Sequence, residues 1–168
     1  MAARILVVED DKAISDFIAI NLQYTGYDYL VLSSGSETKE FLGVDHSFDL
    51  ALLDIMLPGV DGFELMEDMK RYNIPVIYLT AKTDVSSKIQ GLRGGAEDYI
   101  VKPFEVLELL VRIEKVLERM GKLNRVLRVK EIIIHLEDRT VTKCGEKITL
   151  QPLEFDLLTM LVKYKNRT

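Results

Sequence analysis

A single cysteine, Cys144, excludes an intramolecular disulfide, and with only His46 and His135 beside it the chain has no zinc-ligand spacing. Tryptophan is absent, and proline and glycine are sparse at 4 and 10 residues, which argues against a low-complexity or disordered chain. The longest apolar runs, such as Ile5 to Val8 and Ile132 to Ile134, fall far short of a membrane span, and no charged head, apolar stretch and small-residue cleavage site opens the sequence. A cytoplasmic protein without membrane association is expected. No glycine-rich cradle follows the first apolar run, so P-loop and other nucleotide-cradling readings fall away. Neither an internal repeat nor a biased tract appears.

What is present is a chain of 168 residues with 48% hydrophobic content, enough for one ordinary core and a remainder. The net charge of −5 hides an asymmetry. Residues 1–120 carry 12 Lys and Arg against 21 Asp and Glu, whereas residues 121–168 carry 10 against 6. The acidic first part argues against nucleic-acid binding there, and the mildly basic second part permits it.

Along the first part, short β-branched apolar runs alternate with longer amphipathic segments, the pattern of a parallel sheet wrapped by helices. Strands are expected at Arg4–Val8, Tyr29–Leu32, Leu50–Leu53, Val76–Leu79 and Tyr99–Val101, mostly apolar as strands buried on both faces should be. The fifth intervening helix is the clearest, with Val106, Leu109, Leu110, Ile113, Val116, Leu117 and Met120 at spacings of three and four. Breakers sit where strands give way to helices: Pro58 and Gly59 with Asp61 and Gly62, then Thr83 and Asp84, then Pro103. These loops share one end of the sheet, where open α/β folds bind ligands.

Gly121–Arg125 reads as a linker, and beyond it the period changes. Strands at Val126–Val129, Ile132–His135, Thr140–Lys143 and Lys147–Leu150 suggest a small antiparallel sheet. Pro152 then opens a helix whose buried face is expected to be Leu153, Leu157, Leu158, Leu161 and Val162.

Reading the strand ends in order gives Glu9, Asp10 and Asp11, then Asp54, Thr80 and Lys102. Carboxylates gathered at one edge repel one another unless a cation neutralises them or some are protonated. Magnesium suits a few carboxylates completed by water and phosphate oxygens, whereas calcium asks for a larger oxygen cage. With such a cation bound, an ionised Asp54 can act as a nucleophile toward phosphorus. The Lys102 ammonium and the Thr80 hydroxyl can then bind phosphoryl oxygens. Each residue alone is an ordinary turn acid, strand threonine or surface lysine; the weight lies in their conjunction on consecutive strands.

The segments ILVVEDD, LALLDIMLPGVDGFEL, LTA and DYIVKPF, in this order over about the first 120 residues, resemble the bacterial response-regulator receiver domain. The resemblance implies a flavodoxin-like, doubly wound sheet of five parallel strands. It also implies Asp54 as phosphoacceptor from a sensor histidine kinase, and Glu9, Asp10, Asp54 and the Met56 carbonyl as ligands of magnesium or manganese. Thr80 and Lys102 are implied as phosphoryl contacts, with Thr80 and Tyr99 as the switch pair, and Asp11 is a spare. Lys102–Pro103 resembles the family's cis peptide. Met56 and Lys82 occupy positions that in this family influence how fast water removes the phosphoryl group. Such a domain assists its own phosphorylation and dephosphorylation and is not a conventional enzyme.

Residues 126–168 resemble the start of the OmpR/PhoB-type winged-helix effector, an antiparallel sheet followed by LQPLEFDLLTML. The recognition helix and wing are not in the sequence, so DNA binding is expected only of a protein that also has them. In that subfamily active receivers form homodimers through the fourth helix, fifth strand and fifth helix, and Lys88, Glu97, Asp98, Glu108 and Arg112 resemble the charged set used. Pairs from Lys88 to Glu108 and from Asp98 to Arg112 are expected across the two-fold axis. Arg93 and Glu114 look like a sign-reversed pair that opposes mixed dimers. An output-free receiver serving as a phosphoryl sink or interaction module is the alternative. A magnesium-dependent aspartyl phosphatase is disfavoured because Ile55 and Met56, rather than an acid two residues on, follow Asp54.

Overall fold

The structure, a computed structural model, describes residues 3–81, 94–123, 126–136 and 138–165. The chain forms two compact units that divide after Leu123.

In the first unit, strands β1 (Arg4–Val8), β2 (Asp28–Leu32), β3 (Leu50–Asp54), β4 (Val76–Ala81) and β5 (Asp98–Lys102) form one parallel sheet in the order β2-β1-β3-β4-β5. This is the flavodoxin-like arrangement expected from the alternating pattern. Helices α1 (Lys12–Thr25), α2 (Gly35–Leu42), α3 (Gly62–Arg71) and α4 (Val106–Arg119) are described with it; α4 is the fifth helix of the sequence pattern, and Thr83 and Asp84 lie outside the described residues.

The sheet has apolar layers on both faces, which explains its short, nearly continuous apolar strands. Ile5, Val7, Leu52 and Leu79 pack with Ile18 and Leu22 of α1 and Leu109, Ile113, Val116 and Leu117 of α4. Leu6, Val8, Leu53 and Tyr78 pack on the other side with Leu42 of α2 and Leu65 and Met69 of α3. Of the expected α4 stripe, Leu109, Ile113, Val116 and Leu117 are buried, Val106 and Leu110 are only half-buried, and the end departs from expectation. Helix α4 stops at Arg119, and Met120, counted as part of the stripe, is exposed. Gly121 then adopts φ 67° and the Lys122 N–H returns to the Leu117 carbonyl, turning Leu123 back onto the core. Part of the expected linker therefore belongs to the first unit.

The second unit contains a four-stranded antiparallel sheet of β6 (Val126–Val129), β7 (Ile132–His135), β8 (Thr140–Lys143) and β9 (Glu146–Ile148), with α5 (Pro152–Lys165). The last strand starts one residue earlier than the expected Lys147 and ends at Ile148. Lys143 pairs with Glu146 across a two-residue turn in which Cys144 and Gly145 both have positive φ, the geometry that suits a tight hairpin. The buried face of α5 also differs from expectation. Phe155 and Val162 are buried with Ile134 and Val141, and Leu158 is packed against them, while Leu153, Leu157 and Leu161 are exposed. The aromatic ring sets the rotation of the helix: Phe155, Leu158 and Val162 share a stripe, and the leucines at 153, 157 and 161 lie off it.

Candidate functional site

Parallel register brings the carboxyl ends of the central strands together. Val8 pairs with Leu53, Asp54 with Leu79, and Ala81 with Lys102. Glu9 therefore leaves β1 beside Asp54 at the end of β3, Thr80 sits near the end of β4, and Lys102 closes β5. The strand order reverses between β1 and β3, so these residues collect at the switch point of the sheet.

One carboxylate oxygen each from Glu9, Asp10 and Asp54 falls within 4.8 Å of the others. Glu9 is 1% exposed and Asp54 6%, while Asp10 faces solvent. Lys102 Nζ lies 2.6 Å from Asp54 Oδ2, to which it donates a hydrogen bond, and 2.6 Å from Glu9 Oε2. The Glu9 contact is a close ion pair in which no donor is aligned for a hydrogen bond, although Glu9 Oε1 accepts from the Asp11 N–H at 3.1 Å. Burial pushes the Glu9 pKa up; Lys102 opposes this and the charge of Asp54 adds to it. Burial disfavours charge on Lys102 too, but Asp54 and Glu9 more than reverse that, so its pKa is raised.

Asp11 is turned away from this group. Its Oδ1 accepts the N–H groups of Ala13 and Ile14 at 2.8 and 3.1 Å, making it the N-cap of α1. The cap holds α1 immediately after the acidic pair, so the spare acid of the sequence has a structural task.

Met56 is tied to the site through its backbone, with its N–H donating to Asp54 Oδ1 at 3.0 Å. Its side chain is 72% exposed, which excludes the role of a core gap-filler. Both Asp54 oxygens thus have a protein donor, one from Met56 and one from Lys102. Behind Asp54, a Cβ added at Gly62 would stand 2.4 Å from the Asp54 carbonyl oxygen. Glycine there allows α3 to start against the strand end. The Gly62 carbonyl accepts from the Tyr78 hydroxyl at 3.2 Å, and burial, with Asp61 and Glu67 nearby, pushes that phenol up to about 12. Gly62 was legible only as a turn residue, because a close backbone approach leaves no local pattern in sequence.

Thr80 is 2% exposed, and its hydroxyl donates to the Ala81 carbonyl at 3.3 Å. Tyr99 is half-buried against the apolar layer that contains Tyr78. The Lys102–Pro103 bond is cis.

A donor set of clustered carboxylates, one of them buried with an oxygen lacking an aligned donor, fits a small hard cation completed by water. Glu9, Asp10 and Asp54 would hold it.

Among the residues expected on a dimer face, Arg112 bonds within the chain to both Asp98 (2.9 Å) and Glu108 (2.9 Å), and Glu97 bonds Arg119 (2.7 Å). The pairing of Asp98 with Arg112 thus exists inside one molecule. Glu114 is exposed and its charge helps burial to raise the Tyr27 phenol. Lys82, Lys88 and Arg93 lie outside the described residues.

Residues 5–114 match the response regulator receiver domain. A CheY-like response regulator receiver domain protein from Methanospirillum hungatei JF-1 is 32% identical, with a TM-score of 0.67 over 73% of this chain and 98% of that one. Response regulator DrrB of Thermotoga maritima, an OmpR/PhoB homolog, is 32% identical with a TM-score of 0.63, covering 97% of this chain and 73% of its own. NtrX of Brucella abortus is 31% identical with a TM-score of 0.67, over 72% of this chain but only 28% of its own.

Proposed function

This chain belongs to the response regulator receiver family, a family of two-component signalling, and from that premise we propose that Asp54 is its phosphoacceptor. The supporting observation is the buried Asp54 carboxylate, clustered with Glu9 and Asp10 and bridged to Lys102. In the proposed reaction an Asp54 oxygen attacks the phosphorus of a phosphohistidine on a sensor kinase. The P–N bond breaks and the imidazole departs with a proton. Glu9, Asp10, Asp54 and the Met56 carbonyl would hold magnesium or manganese, which when bound would supply positive charge against the phosphoryl oxygens. Lys102 pairs with one phosphoryl oxygen and the Thr80 hydroxyl donates to another, for which it leaves the Ala81 carbonyl. Tyr99 follows Thr80 and alters the face of β5 and α4, where the phosphorylated chain pairs with a second copy. The chain assists its own phosphorylation and dephosphorylation without being a conventional enzyme.

The output we propose is transcription control by an OmpR/PhoB-type winged-helix effector, of which the sheet β6–β9 and helix α5 are the opening elements. Similarity to DrrB across 97% of this chain supports that reading, and DNA binding belongs to a protein that also carries a recognition helix and wing.

The test is intact mass after incubation with magnesium and a small phosphodonor. One phosphoryl group is expected on the wild type and none on Asp54→Ala; an unmodified wild type overturns the assignment.

A further inference from the structure

Two consecutive residues of β4 hold the loop that runs from β3 to α3. The Leu79 carbonyl accepts from the Ile55 N–H at 3.2 Å where the loop begins, and the Tyr78 hydroxyl donates to the Gly62 carbonyl at 3.2 Å where it ends. The two ends are also tied to each other, since the Gly62 N–H donates to the Ile55 carbonyl at 3.0 Å. On its flank, Gly35 of α2 stands so close that an added Cβ would meet the Val60 carbonyl oxygen at 1.7 Å. All of these holds but one are backbone contacts, open to any sequence that keeps glycine at 35 and 62. The exception is the Tyr78 side chain. Core packing does not ask for its oxygen: Tyr78 is 2% exposed, its ring lies 5.5 Å from that of Phe63 in an edge arrangement, and phenylalanine would fill the same space. Burying a hydroxyl costs free energy unless it finds an acceptor. This one finds it at Gly62, the residue whose missing Cβ lets α3 start against the Asp54 carbonyl. Pushed up to about 12 by burial, the phenol stays a donor throughout the neutral range.

We propose that Tyr78 is a positioning residue for cation binding: its hydroxyl fixes the Gly62 carbonyl and so holds the loop from Ile55 to Gly62 in place beside the carboxylates of Glu9, Asp10 and Asp54. The inference rests on the reading of those carboxylates as a cation site, and it adds a residue from outside them. The hydroxyl supplies no ligand and acts through the loop. Met56 directly follows Ile55, and its N–H donates to Asp54 Oδ1, so a shift at the base of the loop carries that bond with it. Losing the hydroxyl loosens the loop at Gly62 while the backbone contacts remain. A small cation that demands near-ideal geometry is sensitive to such loosening, because its ligands are only as well placed as the groups supporting them.

The experiment compares the full wild-type chain with Tyr78→Phe, which keeps the ring, and with Tyr78→4-aminophenylalanine, whose amine restores a donor. Calorimetric titration measures magnesium affinity without phosphorylation, urea unfolding with a chelator checks the fold, and intact mass follows phosphoryl uptake from a small phosphodonor at limiting and saturating magnesium. Tyr78→Phe is expected to bind magnesium about threefold more weakly or worse, the scale of one lost hydrogen bond. Its uptake should fall at limiting magnesium and return to the wild-type rate at saturating magnesium. Tyr78→4-aminophenylalanine should regain the wild-type affinity. Unchanged affinity in Tyr78→Phe, whatever its urea midpoint, overturns the proposal and leaves the hydroxyl a structural contact only. A lost affinity that the amine does not restore, or an uptake deficit that persists at saturating magnesium, overturns it as well. If the wild type binds magnesium but takes no phosphate, the Asp54 assignment fails and the affinities still decide for Tyr78. A wild type that binds no magnesium overturns both.

Discussion

Lys102 Nζ stands 2.6 Å from carboxylate oxygens of both Asp54 and Glu9, so one ammonium serves two buried acids from different strands. Removing it leaves Glu9, at 1% exposure, as a buried charge without its cationic partner. Lys102→Ala is expected to destabilise the metal-free chain by about 3 kcal/mol, the usual cost of breaking a buried pair from one side. Urea unfolding with a chelator measures this. Added magnesium should recover part of the loss, because it replaces the missing positive charge.

The raised pKa of Glu9 gives a signed pH dependence. A carboxyl whose folded pKa lies above its unfolded value binds its proton more tightly when folded. The metal-free chain therefore loses stability as pH rises from the ordinary glutamate range through the Glu9 value. Lys102, raised above 10.5, keeps its charge throughout that window. Protons and magnesium compete for the same oxygens, so as pH falls the magnesium-induced rise in melting temperature should begin to shrink before the ordinary carboxylate range is reached. A rise that shrinks only within the range of an unperturbed carboxylate contradicts the role given to Glu9.

Asp10 and Asp11 are adjacent acids with opposite assignments. Asp11→Ala removes the cap of α1 and should cost about 1 kcal/mol with little change in magnesium affinity. Asp10→Ala should weaken magnesium binding and leave the metal-free stability nearly unchanged, since its carboxylate is exposed and clusters with like charges. Calorimetric titration and thermal unfolding of the two variants separate the roles.

The family resemblance of ILVVEDD already left Asp11 spare, but the apolar pattern alone made that division only half legible. Strand ends told which side chains could meet, because the apolar runs fixed where β1, β3, β4 and β5 stop. They could not tell which of three consecutive acids turns inward, since that depends on where α1 begins. The Glu9 contact with Lys102 spans β1 to β5, strands that are not neighbours in the sheet, and only the folded register reveals it. Likewise the rotation of α5 was hidden by having leucines on both sides, with the single Phe155 deciding between them.

Arg112 already holds Asp98 and Glu108 within one chain. A dimer that uses Asp98 and Arg112 across a two-fold axis must exchange an internal pair for an external one, with little net change in the number of contacts. Arg112→Ala should therefore cost the monomer less than about 1 kcal/mol, as partly exposed pairs do. It should nonetheless abolish the dimer that beryllofluoride, a phosphoryl mimic, is expected to produce in sedimentation. Persistence of that dimer removes Arg112 from the interface.

The two sides of α5 give the sharpest contrast in the second unit. Phe155 is buried against Ile134 and Val141, with the Arg139 guanidinium 4.6 Å from its ring centroid. Truncating it to alanine should cost about 3 kcal/mol or more, the range for losing a packed aromatic. Leu157, two residues on and so about 200° round the helix, is 56% exposed, and Leu157→Gln should change stability by no more than about 0.5 kcal/mol. The measurement is chemical unfolding of the full chain followed at probes within residues 126–162. A large loss on Leu157→Gln would mean that this side of the helix is covered in solution, and the effector reading would then require a partner surface over Leu153, Leu157 and Leu161.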